Sequence, residues 1–124
     1  MIGATFDTGA LIALERRELG MVMKLRVLHQ AGVPITIPAN AVTEFWRKGH
    51  GQAAILALGT IEPVTESVAK AAGEALAKVR AATVVDATVM ASAAARGDRV
   101  FTSDPKDMRR LQAHFRAVVD IIAV

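Results

Sequence analysis

Five acids in this 124-residue chain stand where carboxylates can do chemistry: Asp7, Glu44, Asp86, Asp104 and Asp107. Asp7 directly follows an apolar run and opens a helical pattern. Asp104 follows another apolar run and precedes Pro105. Glu44 lies beside the apolar stripe Ala41, Val42, Phe45 and Trp46, and Asp86 falls three residues after Thr83. Each has an ordinary reading. Asp7 fits a helix N-cap, Asp104-Pro105 an N-cap followed by Pro at the first helical position, and Thr83-x-x-Asp86 a capping box. Glu44 fits a solvated helix face, and Asp107 a first helical turn, where the dipole favours acids. The joint pattern says more than its members: two acids at strand ends, two on helices beside them. Crowded carboxylates repel and do not all ionise without a cation. An all-oxygen set with no Cys suits a hard ion, Mg²⁺ or Mn²⁺, which keeps several waters and binds phosphate oxygens.

Composition sets the frame for those acids. The length fits a single domain, residues 1–124, with a sizeable core. At 52% hydrophobic but only 4% aromatic, that core is expected from Ala, Val, Leu and Ile. Without Cys there is no disulfide framework, thiolate site or cysteine nucleophile. The opening MIGATFD has no basic n-region and does not read as a signal peptide. The apolar run 27–43 is broken by Gly32, Pro34, Pro38 and Asn40, so no membrane span is expected, and the expected compartment is the cytoplasm. Net charge is +3; with the five acids set apart, seven of the twelve remain against fifteen bases. A basic surface around an acidic hole suits a polyanion.

The elements that must position the acids follow from periodicity. Strands are expected at 2–6, 33–37 (proper from Ile35), 60–64, 100–103 and 117–124. The third is expected at a sheet edge because of Pro63. Helices are expected at 8–17, 21–31, from 38–40 through Trp46, at 52–58, from Thr65 or Ser67 to Arg80, from Thr83 to Arg96 with Gly97 as its stop, and at 106–114. This alternation implies an α/β fold with a largely parallel sheet covered on both faces. In such sheets ligands bind at the carboxyl ends of the strands, where Asp7 and Asp104 fall.

The segments FDTGALIAL (6–14), VTEFW (42–46), DATVMASAAARG (86–97) and VFTSDPKD (100–107) resemble the four acidic motifs of PIN domains. More closely, they resemble VapC-type toxin ribonucleases of bacterial toxin–antitoxin pairs. The resemblance extends over essentially the whole chain. It implies a three-layer α/β/α fold with a parallel five-stranded sheet in the order 3-2-1-4-5. It implies that Asp7, Glu44, Asp86 and Asp104 hold one or two Mg²⁺ or Mn²⁺ ions, with Asp107 in an outer shell. Thr8, Thr102 and Ser103 match hydroxyl positions that support the acids or contact phosphate, although Thr102 reads equally as a plain strand residue. The implied activity is metal-dependent endoribonuclease hydrolysis of RNA, tRNA included, leaving a 5′-phosphate and needing no protein nucleophile. The implied setting is the toxin of a type II toxin–antitoxin system, a homodimer neutralised by a protein antitoxin wrapping the helices near Glu44 and Phe45.

The remaining chemistry-bearing residues read mostly as ordinary surface or core. His29, His50 and His114 share no motif. Arg47, Lys48, Arg96, Lys106, Arg109 and Arg110 are candidates to grip RNA phosphates, each also explicable as a solvated face. The pair Phe45-Trp46 reads as core rather than as a stacking platform. Two readings compete with the nuclease. A catalytically silent PIN-like binding module would keep the fold without the reaction. A Mg-dependent phospho-acceptor receiver domain would need paired acids after the first strand and a late Lys. Here Asp7 is followed by Thr8, and the last eighteen residues hold no Lys.

Overall fold

The structure is a computed structural model, and it describes residues 1–115, 117 and 120–124. Five short strands form one parallel sheet: β1 (Ala4–Phe6), β2 (Ile35–Pro38), β3 (Thr60–Glu62), β4 (Arg99–Thr102) and β5 (Ile121–Ala123). Their order is β3-β2-β1-β4-β5, with every neighbouring pair parallel. This is the order expected from the sequence motifs, and β3 is an edge strand as Pro63 required. It differs from the 2-1-3-4-5 order of the flavodoxin-like fold that receiver domains adopt, which removes that alternative. Seven helices connect the strands: α1 (Thr8–Glu15), α2 (Leu19–Gln30), α3 (Ala39–Phe45), α4 (Gln52–Leu56), α5 (Glu66–Lys78), α6 (Val84–Arg96) and α7 (Pro105–Gln112). Right-handed crossovers in this strand order put α1–α4 on one face and α5–α7 on the other.

Local chemistry sets the helix ends near the site. Asp7 caps α1 by accepting from the Ala10 N–H at 2.8 Å. Thr65 and Thr83 cap α5 and α6 by accepting from Val68 and Asp86 N–H groups. Gly97 ends α6 at φ 74°, a left-handed conformation that costs a glycine little.

Several boundaries are shorter than periodicity alone suggested. Ser103 lies past the end of β4, and β5 begins at Ile121; residues 118 and 119, part of the expected last strand, lie outside the described residues. The core also draws on more than aliphatic side chains. Met21, Met90 and Met108 are fully buried, and Phe6 meets Phe101 edge-to-face at 5.4 Å between ring centroids. Among the described residues no helix is long and apolar enough to cross a membrane.

Candidate metal centre

β1 and β4 are the central pair, in register from Ala4–Arg99 to Phe6–Phe101. The Asp7 N–H extends that ladder one step by donating to Phe101 O at 3.1 Å. Asp7 and Asp104 therefore leave the same end of two adjacent strands. α6 and α7 begin at that end and bring Asp86 and Asp107 in their first turns. One carboxylate oxygen from each of Asp86, Asp104 and Asp107 lies within 4.8 Å of the other two. Oxygens opposite each other around Mg²⁺ stand roughly 4.2 Å apart, so this trio fits a small hard cation after slight side-chain rotation.

The electrostatics extend the cluster beyond the trio. Burial is the main cause raising the Asp86 carboxyl, opposed by the Thr83 hydroxyl and reinforced by the charges of Asp104, Glu44 and Asp107. Asp107 is raised first by a hydrogen bond with the Asp104 side chain, then by burial and by the Asp104 charge; Arg110 and Lys106 oppose the shift. Asp7 is 4% exposed, and its pKa is pushed up to about 6. Burial is the largest cause, hydrogen bonds from Thr102, Ala10 and Gly9 pull against it, and the Asp86 charge adds to it. Asp86 is thus the hub, coupled to all four other acids.

Expected and observed positions differ in detail. The sequence motifs grouped Asp7, Glu44, Asp86 and Asp104 and set Asp107 outside. The structure draws Asp86, Asp104 and Asp107 tightest, with Asp7 deeper and Glu44 exposed on α3. The physical reason is the α7 N-terminus: Pro105 starts that helix, and Asp107 falls on the turn that faces Asp104. The hydroxyls each have a distinct place. Thr8 donates to Glu44 Oε1 at 2.8 Å. The Thr102 oxygen accepts from the Asp104 N–H at 2.9 Å while its hydroxyl serves Asp7, so one side chain joins the two strand-end acids. Ser103 is exposed and sits against Gly9 so closely that a β-carbon on Gly9 would fall 1.8 Å from Ser103 Oγ.

The six basic candidates separate. Arg96 is committed to the fold: it pairs with Glu62, donates to Asp98 at 2.9 Å and to Thr5 Oγ1 at 2.9 Å. None of those partners belongs to the acidic cluster. Arg96 stands at the end of α6, and its partners lie on β1 (Thr5), on β3 (Glu62) and just before β4 (Asp98). Arg47 turns back on α3, donating to the carbonyls of Thr43 and Trp46. Arg110 pairs with Asp107 at 3.5 Å, and Lys106 acts on the same carboxyl. Lys48, Arg109 and Lys106 are exposed. Two residues escaped the sequence reading. Gln52, buried beside the turn after α3, had only its flanking glycines as a signal. Asn40, which donates to Thr88 Oγ1 at 3.2 Å and ties α3 to α6, had none.

No family model matches the chain, and no curated protein matches it. Solved structures do match, over nearly the whole length. A chain of the VapBC2 complex from Rickettsia felis, bound to a DNA fragment from their promoter, superposes with a TM-score of 0.75 at 14% identity, covering 100% of this chain and 99% of that one. FitAcB from Neisseria gonorrhoeae gives 0.69 at 18% identity, with 96% of each chain covered. A toxin–antitoxin complex from Klebsiella pneumoniae gives 0.69 at 17% identity, covering 98% and 97%. The chain thus has the fold of a subunit in these complexes.

Proposed function

We propose that this protein is a divalent-cation-dependent endoribonuclease acting as the toxin of a type II toxin–antitoxin pair in the cytoplasm. The observation that carries the reading is the convergence of Asp86, Asp104 and Asp107 within 4.8 Å, beside a buried Asp7 whose carboxyl is raised to about 6. A buried acid beside crowded carboxylates at the carboxyl ends of central strands costs stability unless something positive is bound among them. Fold likeness to complexes named VapBC2, FitAcB and toxin–antitoxin supports the biological setting.

Asp86, Asp104 and Asp107 would hold the cation, with Asp7 beneath and Glu44 at the rim. When bound, Mg²⁺ or Mn²⁺ supplies Lewis acidity toward a phosphate oxygen and toward a water. The chain's own part is positioning. Thr102 fixes Asp7 and Asp104 relative to each other, and Thr8 aims Glu44 at the rim. No side-chain nucleophile is required.

A protein partner and a homodimer belong to the same reading. α2 exposes Leu19, Met23 and Val27, and Met23 and Val27 border a hollow of about 530 Å³ with Leu28, Phe101 and Ile122. Exposed apolar patches of this kind mark protein interfaces. They lie away from Glu44 and Phe45, where the sequence motifs pointed.

The test is cleavage of total bacterial RNA by the purified chain with Mg²⁺ or Mn²⁺, with chelator, and with Asp7→Asn. Discrete metal-dependent fragments that disappear with the variant are expected. Folded, metal-supplemented protein that leaves all RNA intact would turn the reading toward the silent binding module.

A further inference from the structure

The turn joining α3 to α4, residues 46–51, holds the protein's one tryptophan. Sequence pattern placed Phe45-Trp46 together in the core. Phe45 is buried, but Trp46 is 39% exposed. Its peptide is nevertheless pinned. The Trp46 N–H donates to Val42 O at 2.7 Å. Its carbonyl accepts from Arg47 Nη1 at 2.7 Å. The next N–H, that of Arg47, donates to Gln52 Oε1 at 2.9 Å. Gln52 is the anchor: the same oxygen accepts from the Gly49 N–H at 3.0 Å, while Nε2 donates to Glu15 Oε2 at 2.8 Å and to Phe45 O at 3.0 Å. A buried side chain with all its donors and acceptors in use holds the turn to α1. The result is a half-open indole on a fixed backbone, which loses little freedom when something stacks on it.

Charge and position decide what stacks there. Arg47, Lys48 and His50 are exposed around Trp46, and no acid occurs between residues 45 and 61. Glu44, two residues earlier, is tied through Thr8 to the first turn of α1. Glu44 also adds its charge to Asp86, and two residues of backbone span at most about 7 Å, so the turn starts within that reach of the cluster's rim. A π-face with cations beside it is the pair of features that binds single-stranded nucleic acid.

We propose that Trp46 is a base-stacking platform for a nucleotide flanking the scissile phosphate of single-stranded RNA. Lys48 supplies its phosphate contact, and Gln52 holds the platform in place. This rests on the ribonuclease reading and adds to it a recognition surface on the α3 side of the acids.

The single tryptophan makes the test direct. The Asp104→Asn protein, in Mg²⁺, is titrated with a short single-stranded oligoribonucleotide of mixed sequence. Anisotropy of a label on the RNA reports binding, and tryptophan emission reports stacking. Emission is expected to be quenched in step with binding. Adding Trp46→Ala is expected to weaken binding on the order of tenfold or more, with Trp46→Phe restoring most of it. Gln52→Leu is expected to weaken quenching more than binding. Saturable binding with unchanged emission and equal affinity for Trp46→Ala would overturn the platform while leaving wild-type cleavage, and hence the ribonuclease reading, standing. Emission that responds to protein concentration and not to RNA would place Trp46 in a protein interface and overturn it too. Absence of metal-dependent cleavage by the wild type would remove the ribonuclease reading and the platform with it.

Discussion

Asp7 is an acid whose burial works against it. Its folded pKa of about 6 lies above the ordinary 3.8, so the folded state holds the proton more tightly than the unfolded chain does. Stability from this group is therefore fully present below about pH 4 and is lost as pH rises through about 6. A shift of roughly two units corresponds to about 2–3 kcal/mol against the fold above pH 7. Asparagine caps a helix as well as aspartate does and removes the charge. Asp7→Asn is expected to be more stable than wild type by an amount of that order at pH 8, with the difference shrinking toward pH 4. Denaturant unfolding of both proteins at the two pH values measures it; equal stability at pH 8 would mean that Asp7 is better solvated than its surroundings indicate. At the same scale, Asp104→Asn is expected to abolish cleavage and leave the fold intact, because its side chain makes no capping hydrogen bond to α7. Unfolding of that variant at 25 °C would instead assign Asp104 a structural role.

At the scale of elements, the site is made by where three helices begin. α1, α6 and α7 each start at the carboxyl end of the central strands and carry an acid at or within their first turn. The closest approach between α1 and the end of β4 is at Gly9, where a side chain would meet Ser103 Oγ, Cβ and N at 1.8, 2.5 and 3.1 Å. Gly9→Ala must shift α1 or Ser103, and Asp7 lies two residues before Gly9 while Asp104 directly follows Ser103. The expected cost is about 1–3 kcal/mol, with cleavage falling further than the loss of folded protein explains. Thermal melting and cleavage rate, measured on the same samples, separate the two effects. A variant as stable and active as wild type would show that Ser103 turns aside freely.

At the scale of the whole molecule, metal and fold are linked. A cation that binds the folded site and not the unfolded chain raises stability by about 2.7 kcal/mol at a hundred times its dissociation constant. Millimolar Mn²⁺ is expected to raise the melting temperature of the wild type and to do so much less for Asp104→Asn. An unchanged wild-type melting curve would count against a metal site in the partner-free protein. The excess of bases outside the acidic cluster gives a second whole-molecule expectation. On the ribonuclease proposal, RNA binding is expected to weaken steeply with salt as phosphate contacts release counterions, and Arg96→Ala is expected to change that slope little because Glu62 and Asp98 already pair with its guanidinium.

The sequence by itself determined the frame: the strand–helix alternation, the edge position of the strand near Pro63, the caps at Asp7 and Thr83 and the stop at Gly97. These depend on periodicity and on local hydrogen bonding, which are written into neighbouring residues. It also named the five acids, because their types and places relative to strand ends are local facts. What only the tertiary structure decided was their grouping and the fates of side chains that reach across the fold. Asp107 joins Asp86 and Asp104 because α6 and α7 converge. Arg96 is tied into the fold because Glu62, thirty-four positions away, comes within its reach. Trp46 stays in solvent because Ala41 and Phe45 face the core from α3 and Gln52 fixes the turn. Contacts between residues far apart in sequence depend on how whole elements pack, and no local pattern encodes them.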